Sequence, residues 1–148
     1  MQWKRDEALG LLILRVGAGL VFFLHGWQKL FGHDISFVKE MLTMAGWSLP
    51  DALLWCVAVV ELIGGLALLS GFLARTAGLL LAFEMLVAVI LFHARQGFFI
   101  VAVPNVPLAF GFEYHVILIA SLLCVGLGGP GRWAADEPIG RWRGRPRP

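Results

Sequence analysis

The sequence predicts an all-α integral membrane protein, a four-helix bundle with its N- and C-termini on the cytoplasmic side. Three observations lead there. Hydrophobic residues make up 59% of the 148 and charged residues only 15%, with a mean hydropathy of +0.80, whereas soluble domains carry about 45–50% apolar and about 25% charged residues. The apolar residues fall in long runs, and about 20 helical residues are what about 30 Å of hydrocarbon requires. The charges sit in short clusters between those runs, as expected when lipid replaces water as the solvent.

The first run extends from Ala8 to Phe31 and is closed by Gly32. It is too long for the apolar stretch of a signal peptide and ends in His, Gln and Lys rather than a small-residue cleavage site, so it is expected to be retained. The second run, Asp51 to Ser70, begins with an acidic residue directly after Pro50 and stops at Gly71, both ordinary helix-end signals. The third, Ala74 to His93, has Thr76 as a helix-start residue. The fourth, Tyr114 to Leu127, is short and halts at Gly128-Gly129-Pro130-Gly131; a thinned bilayer, or extension back through Phe110 to Glu113, would accommodate it. Small residues inside the spans, Gly17, Gly19, Gly26, Gly64, Gly65 and Gly78, are expected to let helix backbones approach closely.

Between the third and fourth runs, Phe98 to Phe112 is apolar but broken by Pro104, Pro107 and Gly111. It cannot be one helix and reads as an interfacial or re-entrant hairpin, either an anchor at the head groups or a lid over a cavity. Basic residues set the orientation. Lys4, Arg5, Arg75, Arg132 and the tail residues Arg141, Arg143, Arg145 and Arg147 fall on one side, against Lys39 and Arg95 on the other, which places the first side in the cytoplasm. Trp27, Trp47, Trp55 and Trp133 suit an aromatic belt. Residues 1–136 form one transmembrane domain, and 137–148 a basic, disordered cytoplasmic tail suited to anionic lipid rather than nucleic acid.

Ionisable residues at hydrocarbon depth cost about 2.5–3.5 kcal/mol each on insertion scales and must face the bundle interior or water. Arg15 lies in the cytoplasmic half of the first span, and His25 and Lys29 lie four apart in its outer half. Glu61 and Glu84 are central in the second and third spans, His93 ends the third, and Glu113 and His115 open the fourth. Opposite charges balance closely enough for mutual pairing, which makes such burial tolerable. By depth, Arg15 should reach Glu61 or Glu84, while His25, Lys29, His93, Glu113 and His115 should gather toward the outer face. The network either fixes helix register or lines a ligand or proton pathway; three histidines at one depth favour the second.

Other chemistries find less support. No close-spaced histidine pair exists, so no metal site is assigned, and haem ligation is disfavoured equally. Ser36, Ser48, Ser70 and Ser121 lack a nucleophile-elbow context, and no phosphate-binding loop is present. Cys56 and Cys124 are far apart in separate runs, which argues against thiol redox chemistry and for small buried apolar side chains.

Two stretches in order, Arg15-Val16-Gly17 with His25-Gly26-Trp27-Gln28-Lys29-Leu30-Phe31-Gly32, and Glu61-Leu62-Ile63-Gly64-Gly65-Leu66 through Gly71-Phe72-Leu73-Ala74-Arg75, resemble the signatures of the DoxX family of small bacterial membrane proteins. Gly129-Pro130-Gly131-Arg132-Trp133-Ala134-Ala135-Asp136 is similar to the family's closing motif, with Ala134 where serine is more usual. The likeness runs from Leu12 to Asp136. It implies a four-helix bundle in the bacterial inner membrane whose relatives include the membrane subunit of a thiosulfate:quinone oxidoreductase and a membrane partner of superoxide-detoxifying and sulfur-transferring enzymes. The positions carried over are Arg15, His25, Lys29, Glu61, Arg75 and His93.

Three functions are thus expected to compete. The first is a redox-associated membrane subunit that binds quinone, with His25, Lys29 and His93 as donors and Phe22, Phe23, Phe98 and Phe99 as walls. The electron source would then be a partner oxidoreductase or sulfur-transfer protein, since no flavin, haem or metal motif is present. The second is a non-catalytic anchor or scaffold for a partner enzyme. The third is a small-solute or proton transporter, for which so short a chain would have to form a homo-oligomer.

Overall fold

The structure is a computed structural model that describes residues 2–32, 34–101 and 109–136. The tail arginines, Pro104 and Pro107 lie outside the described residues.

Helix α1 (Gln2–Phe31) runs the length of the bundle, and α2 (Asp34–Met44) lies in the connection to α3 (Asp51–Ser70). After the Gly71 turn, α4 (Ala74–Leu91) returns and passes into a 3₁₀ turn, His93–Gln96. Strands β1 (Ile100–Val101) and β2 (Ala109–Phe110) pair antiparallel, Ile100 opposite Phe110. Helix α5 (Glu113–Leu123) ends in a π turn, Cys124–Gly128. Three helices are long and apolar enough to cross a membrane, and Glu113–Gly128 is a shorter apolar fourth, about 24 Å long at 1.5 Å per residue. The chain is a multi-pass, all-helical membrane protein apart from the two-residue strand pairing.

The core is small. Phe22, Leu68, Leu81, Leu122 and Val125 are buried around Ala18, Ala74 and Ala77, while Leu20, Leu24, Ile63, Leu80, Phe83, Ile90 and Ile117 are exposed. Outward-facing aliphatic residues all round are what lipid as solvent requires. Cys56 and Cys124 belong to that outer surface as well, so the expectation that protein would bury them is corrected: hydrocarbon, not the core, receives them. The four belt tryptophans Trp27, Trp47, Trp55 and Trp133 are likewise exposed.

Helices α1 and α3 form the tightest antiparallel pair, and glycine makes it so. A Cβ on Gly26 would fall 2.7 Å from Leu62 Cα, and one on Gly65 would fall 2.7 Å from Phe23 Cα, closer than any methyl packs. This near contact of backbones sets Lys29 against Glu61. The Gly78 backbone likewise lies beside Leu122 and Gly126, which holds α4 on α5. Thr76, expected to start α4, sits inside its first turn; the helix begins at Ala74, after Leu73 adopts φ 52°.

Candidate functional site

Two polar regions occupy opposite ends of the bundle. At the end where the N-terminal half of α1 meets residues 126–136, Arg15 is almost wholly buried, and its Nη2 donates to the carbonyls of Arg132 and Trp133 at 3.4 Å. Gly71, with φ 74°, leaves the room: a Cβ there would collide with the Arg15 guanidinium and with Ala134. Arg75 does similar work on the end of α5. Its Nη1 donates to the carbonyls of Leu127 at 2.8 Å and Gly126 at 3.4 Å, and its Nη2 to Gly128. The last carbonyls of a helix have no partner within it, and here a guanidinium supplies one. Backbone bonds from Arg132 to Ala8, Ala135 to Ser70 and Asp136 to Gly71 complete the lock.

The expected contact of Arg15 with Glu61 or Glu84 is therefore corrected. Glu61 packs at the level of Gly26, eleven residues or about 16 Å along α1 from Arg15, beyond the reach of an arginine side chain. Arg15 turns instead to carbonyls at its own end of the bundle.

The other region gathers most of the remaining embedded groups. Lys29 Nζ and Glu61 Oε2 are 2.5 Å apart, with the Lys29 side chain 19% exposed and that of Glu61 2%. Glu84 stands beside Glu61, within hydrogen-bond reach of its carboxyl and in the field of Lys29, while Glu84 Oε2 is buried with no hydrogen-bond partner among the described residues. Around these, the His93 and His115 rings lie 4.0 Å apart, tilted by 43°, and His25 and His93 both act electrostatically on His115. His115 Nδ1 is buried and also has no hydrogen-bond partner among the described residues. Buried polar atoms are normally satisfied, and Glu84 Oε2 and His115 Nδ1 are exceptions among the described residues.

Glu113 is at the same end but not in the cluster. Its Oε1 accepts from the Ile100 amide at 3.3 Å, pinning the hairpin, while Gly111 passes against the Phe98 and Phe99 carbonyls with no space for a side chain. Of the expected aromatic walls, Phe22 is corrected: it is 1% exposed in the core and cannot face a ligand. Phe23 leans on Trp27, and Phe98 and Phe99 meet edge to face on the exposed loop. No group of three or more metal-ligating side chains is arranged to hold an ion among the described residues.

A helix that the sequence did not predict forms the scaffold over this end. Helix α2 presents Ile35, Val38, Met41 and Leu42 inward, a helical spacing visible in the sequence. Beyond it, Trp47 Nε1 donates to the Leu91 carbonyl at 2.9 Å and Arg95 Nη1 to the Ala45 carbonyl at 3.1 Å, fastening the connection onto the end of α4.

The profile of the DoxX family matches residues 10–94. The chain is 28% identical over 138 residues to the inner membrane protein YqjF of Escherichia coli K12, covering 93% of this chain and 98% of that one. It is 33% identical over 97 residues to the "Putative oxidoreductase CatD" of Bacillus subtilis 168, covering 64% of this chain and 68% of that one. No solved structure matches it.

Proposed function

This chain belongs to the DoxX family, and from that premise we propose that it is a redox-associated subunit of the bacterial cytoplasmic membrane that binds a quinone at the cluster of His25, Lys29, Glu61, Glu84, His93 and His115. The observation that carries the reading is the meeting of histidines from three helices beside a lysine–carboxylate group, with buried unsatisfied atoms on His115 and Glu84. A quinone presents two carbonyl oxygens as acceptors on an apolar ring. Imidazole N–H groups meet the first need and the surrounding span residues the second.

Reduction of a quinone to the quinol takes two electrons and two protons. The electrons come from a partner oxidoreductase; support for redox chemistry is the name of the Bacillus subtilis relative, "Putative oxidoreductase CatD". The chain's own residues handle the protons: histidine passes a proton on one nitrogen while accepting on the other, and Glu84, next to Glu61 and Lys29, is a second exchange point. In this reading Lys29 holds the Glu61 carboxylate in place through their ion pair, and so acts as a positioning residue. Arg15 and Arg75 take no part in binding and hold the opposite end of the bundle shut. That opposite end, with both described chain ends, faces the cytoplasm, as the charge distribution indicates.

Titration of a tail-free benzoquinone into protein held in nanodiscs tests this. His25→Ala and Glu84→Gln are expected to weaken binding at least tenfold while the helical content and monodispersity of the parent persist. Parent-like binding by both variants, or none by the parent, transfers the assignment to an anchor or scaffold for a partner enzyme.

A further inference from the structure

Helix α2 carries more apolar surface than the bundle covers. Ile35, Val38 and Leu42 form a half-buried stripe toward the spans, and Ser36, Glu40 and Thr43 form an exposed polar stripe. A third stripe, Phe37, Met41 and Met44, runs between them on the far side at the same helical spacing. Met41 is half-buried where this stripe adjoins the first, but Phe37 is 54% and Met44 74% exposed. A helix that met only protein and water would need one apolar and one polar face. This one has a second apolar face, which the described residues leave open.

Three attachments fix the height of that face. Two residues separate Asp34 from Phe31, the last residue of α1. Midway along, Lys39 Nζ pairs at 2.6 Å with Oδ1 of Asp51, the first residue of α3. At the far end the Ala45 carbonyl accepts from Arg95 Nη1, and Trp47 Nε1 donates to the carbonyl of Leu91, the last residue of α4. All three points are span ends on one side of the bundle. Helix α2, about 16 Å long, therefore lies across those ends, parallel to the membrane plane. The lipid-facing surface of α1 leads into it, since the exposed rings of Trp27 and Phe31 stack at 4.5 Å just before the connection.

We infer that α2 is an interfacial helix whose face of Phe37 and Met44 is seated in the bilayer, at the boundary of head groups and acyl chains, with Ser36, Glu40 and Thr43 turned to water. Amphipathic helices of this kind sink their apolar face about 5–10 Å into that boundary. Lipid is the partner because the face continues the lipid-facing surface at Phe31 and carries no charge; Lys39, on the neighbouring polar side, is engaged by Asp51. The contact anchors the cap over the polar cluster to the membrane as well as to the spans, whatever the cluster binds.

The test places a nitroxide on single cysteines, Phe37→Cys, Met44→Cys, Ser36→Cys and Glu40→Cys, in the full chain carrying Cys56→Ala and Cys124→Ala in phosphatidylcholine nanodiscs. Power saturation compares collisions with oxygen, which concentrates among acyl chains, and with a water-soluble nickel chelate. The oxygen-to-nickel ratio is expected to be at least about fivefold higher at positions 37 and 44 than at 36 and 40. An equal or lower ratio puts the face in water and overturns the assignment. Few collisions with either reagent at 37 and 44 mean that protein covers the face, which overturns it too. A second measurement needs no added cysteine: p-benzoylphenylalanine replaces Phe37, and the protein is irradiated in cell membranes. Mass spectrometry is expected to find a phospholipid adduct as the main product. A main adduct to protein, whether a second copy or another chain, contradicts the lipid contact.

Discussion

Lys29 and Glu61 meet because α1 and α3 cross on glycine, and each needs the other at that depth. Removing one partner of a buried pair leaves an uncompensated charge and costs about 3–5 kcal/mol, whereas replacing both with apolar groups is often nearly neutral. Lys29→Met is thus expected to lower the unfolding midpoint in detergent sharply, and Lys29→Met with Glu61→Leu to recover most of the loss. If the double variant is as unstable as the single, the pair is not the source of the effect. The histidines were legible by depth: His25 lies in the outer half of its span, while His93 ends and His115 opens theirs on the same side. Arg15 was not. A long guanidinium stem reaches for the nearest unsatisfied carbonyls, and the carbonyls of Arg132 and Trp133 become neighbours only when the chain end folds back over Ser70 and Gly71. No count along the sequence shows that return. Gly71→Ala should reveal it, since the new methyl meets both a positive φ and the Arg15 side chain. The backbone strain alone costs about 1–2 kcal/mol, and thermal unfolding should show a larger loss than that.

Among the elements, the four spans follow the apolar runs closely. The second, Asp51–Ser70, agrees to the residue, α1 ends before Gly32, and the π turn that follows α5 closes at Gly128. Connections were harder to read. Helix α2 shows a helical period of only four inward residues, and a polar surface of Ser36, Lys39, Glu40 and Thr43 hides it among loop signals. The hairpin of β1 and β2 was readable from its prolines and Gly111 as a chain reversal, though its attachment through Glu113 depends on tertiary contact. The π turn that ends α5 had no sequence signal beyond its glycines; Arg75 holds its carbonyls from another helix. Arg75→Met should therefore loosen the end of α5, at about 0.5–1.5 kcal/mol for hydrogen bonds lost at a largely exposed helix end. Amide exchange is the direct measurement: faster exchange at Gly129, which donates to Val125, is expected, with Leu118 and Leu122 still protected. Uniformly faster exchange would mean that Arg75 supports the whole helix.

For the whole molecule, an up-down path of four helices puts the first turns of α1 and the closing Gly129–Asp136 segment at one end and the histidine cluster at the other. A cysteine at Lys39 in a chain lacking Cys56 and Cys124 should react with an impermeant maleimide from outside intact cells, and one at Arg143 only after lysis; labelling of both from one side contradicts the four-span path. The balance of the bundle explains why fold was more legible than function. Lipid demands apolar surfaces everywhere, so any polar residue within a span stands out, but what those residues do depends on which atoms packing leaves unsatisfied. The most direct measurement is solid-state NMR of the ¹⁵N-histidine-labelled protein with a quinone ¹³C-labelled at its two carbonyl carbons. The cluster account predicts through-space transfer between the quinone carbonyls and the His25 and His115 nitrogens, lost for the first in His25→Ala. A bound quinone whose carbonyls show no transfer to either histidine would contradict it.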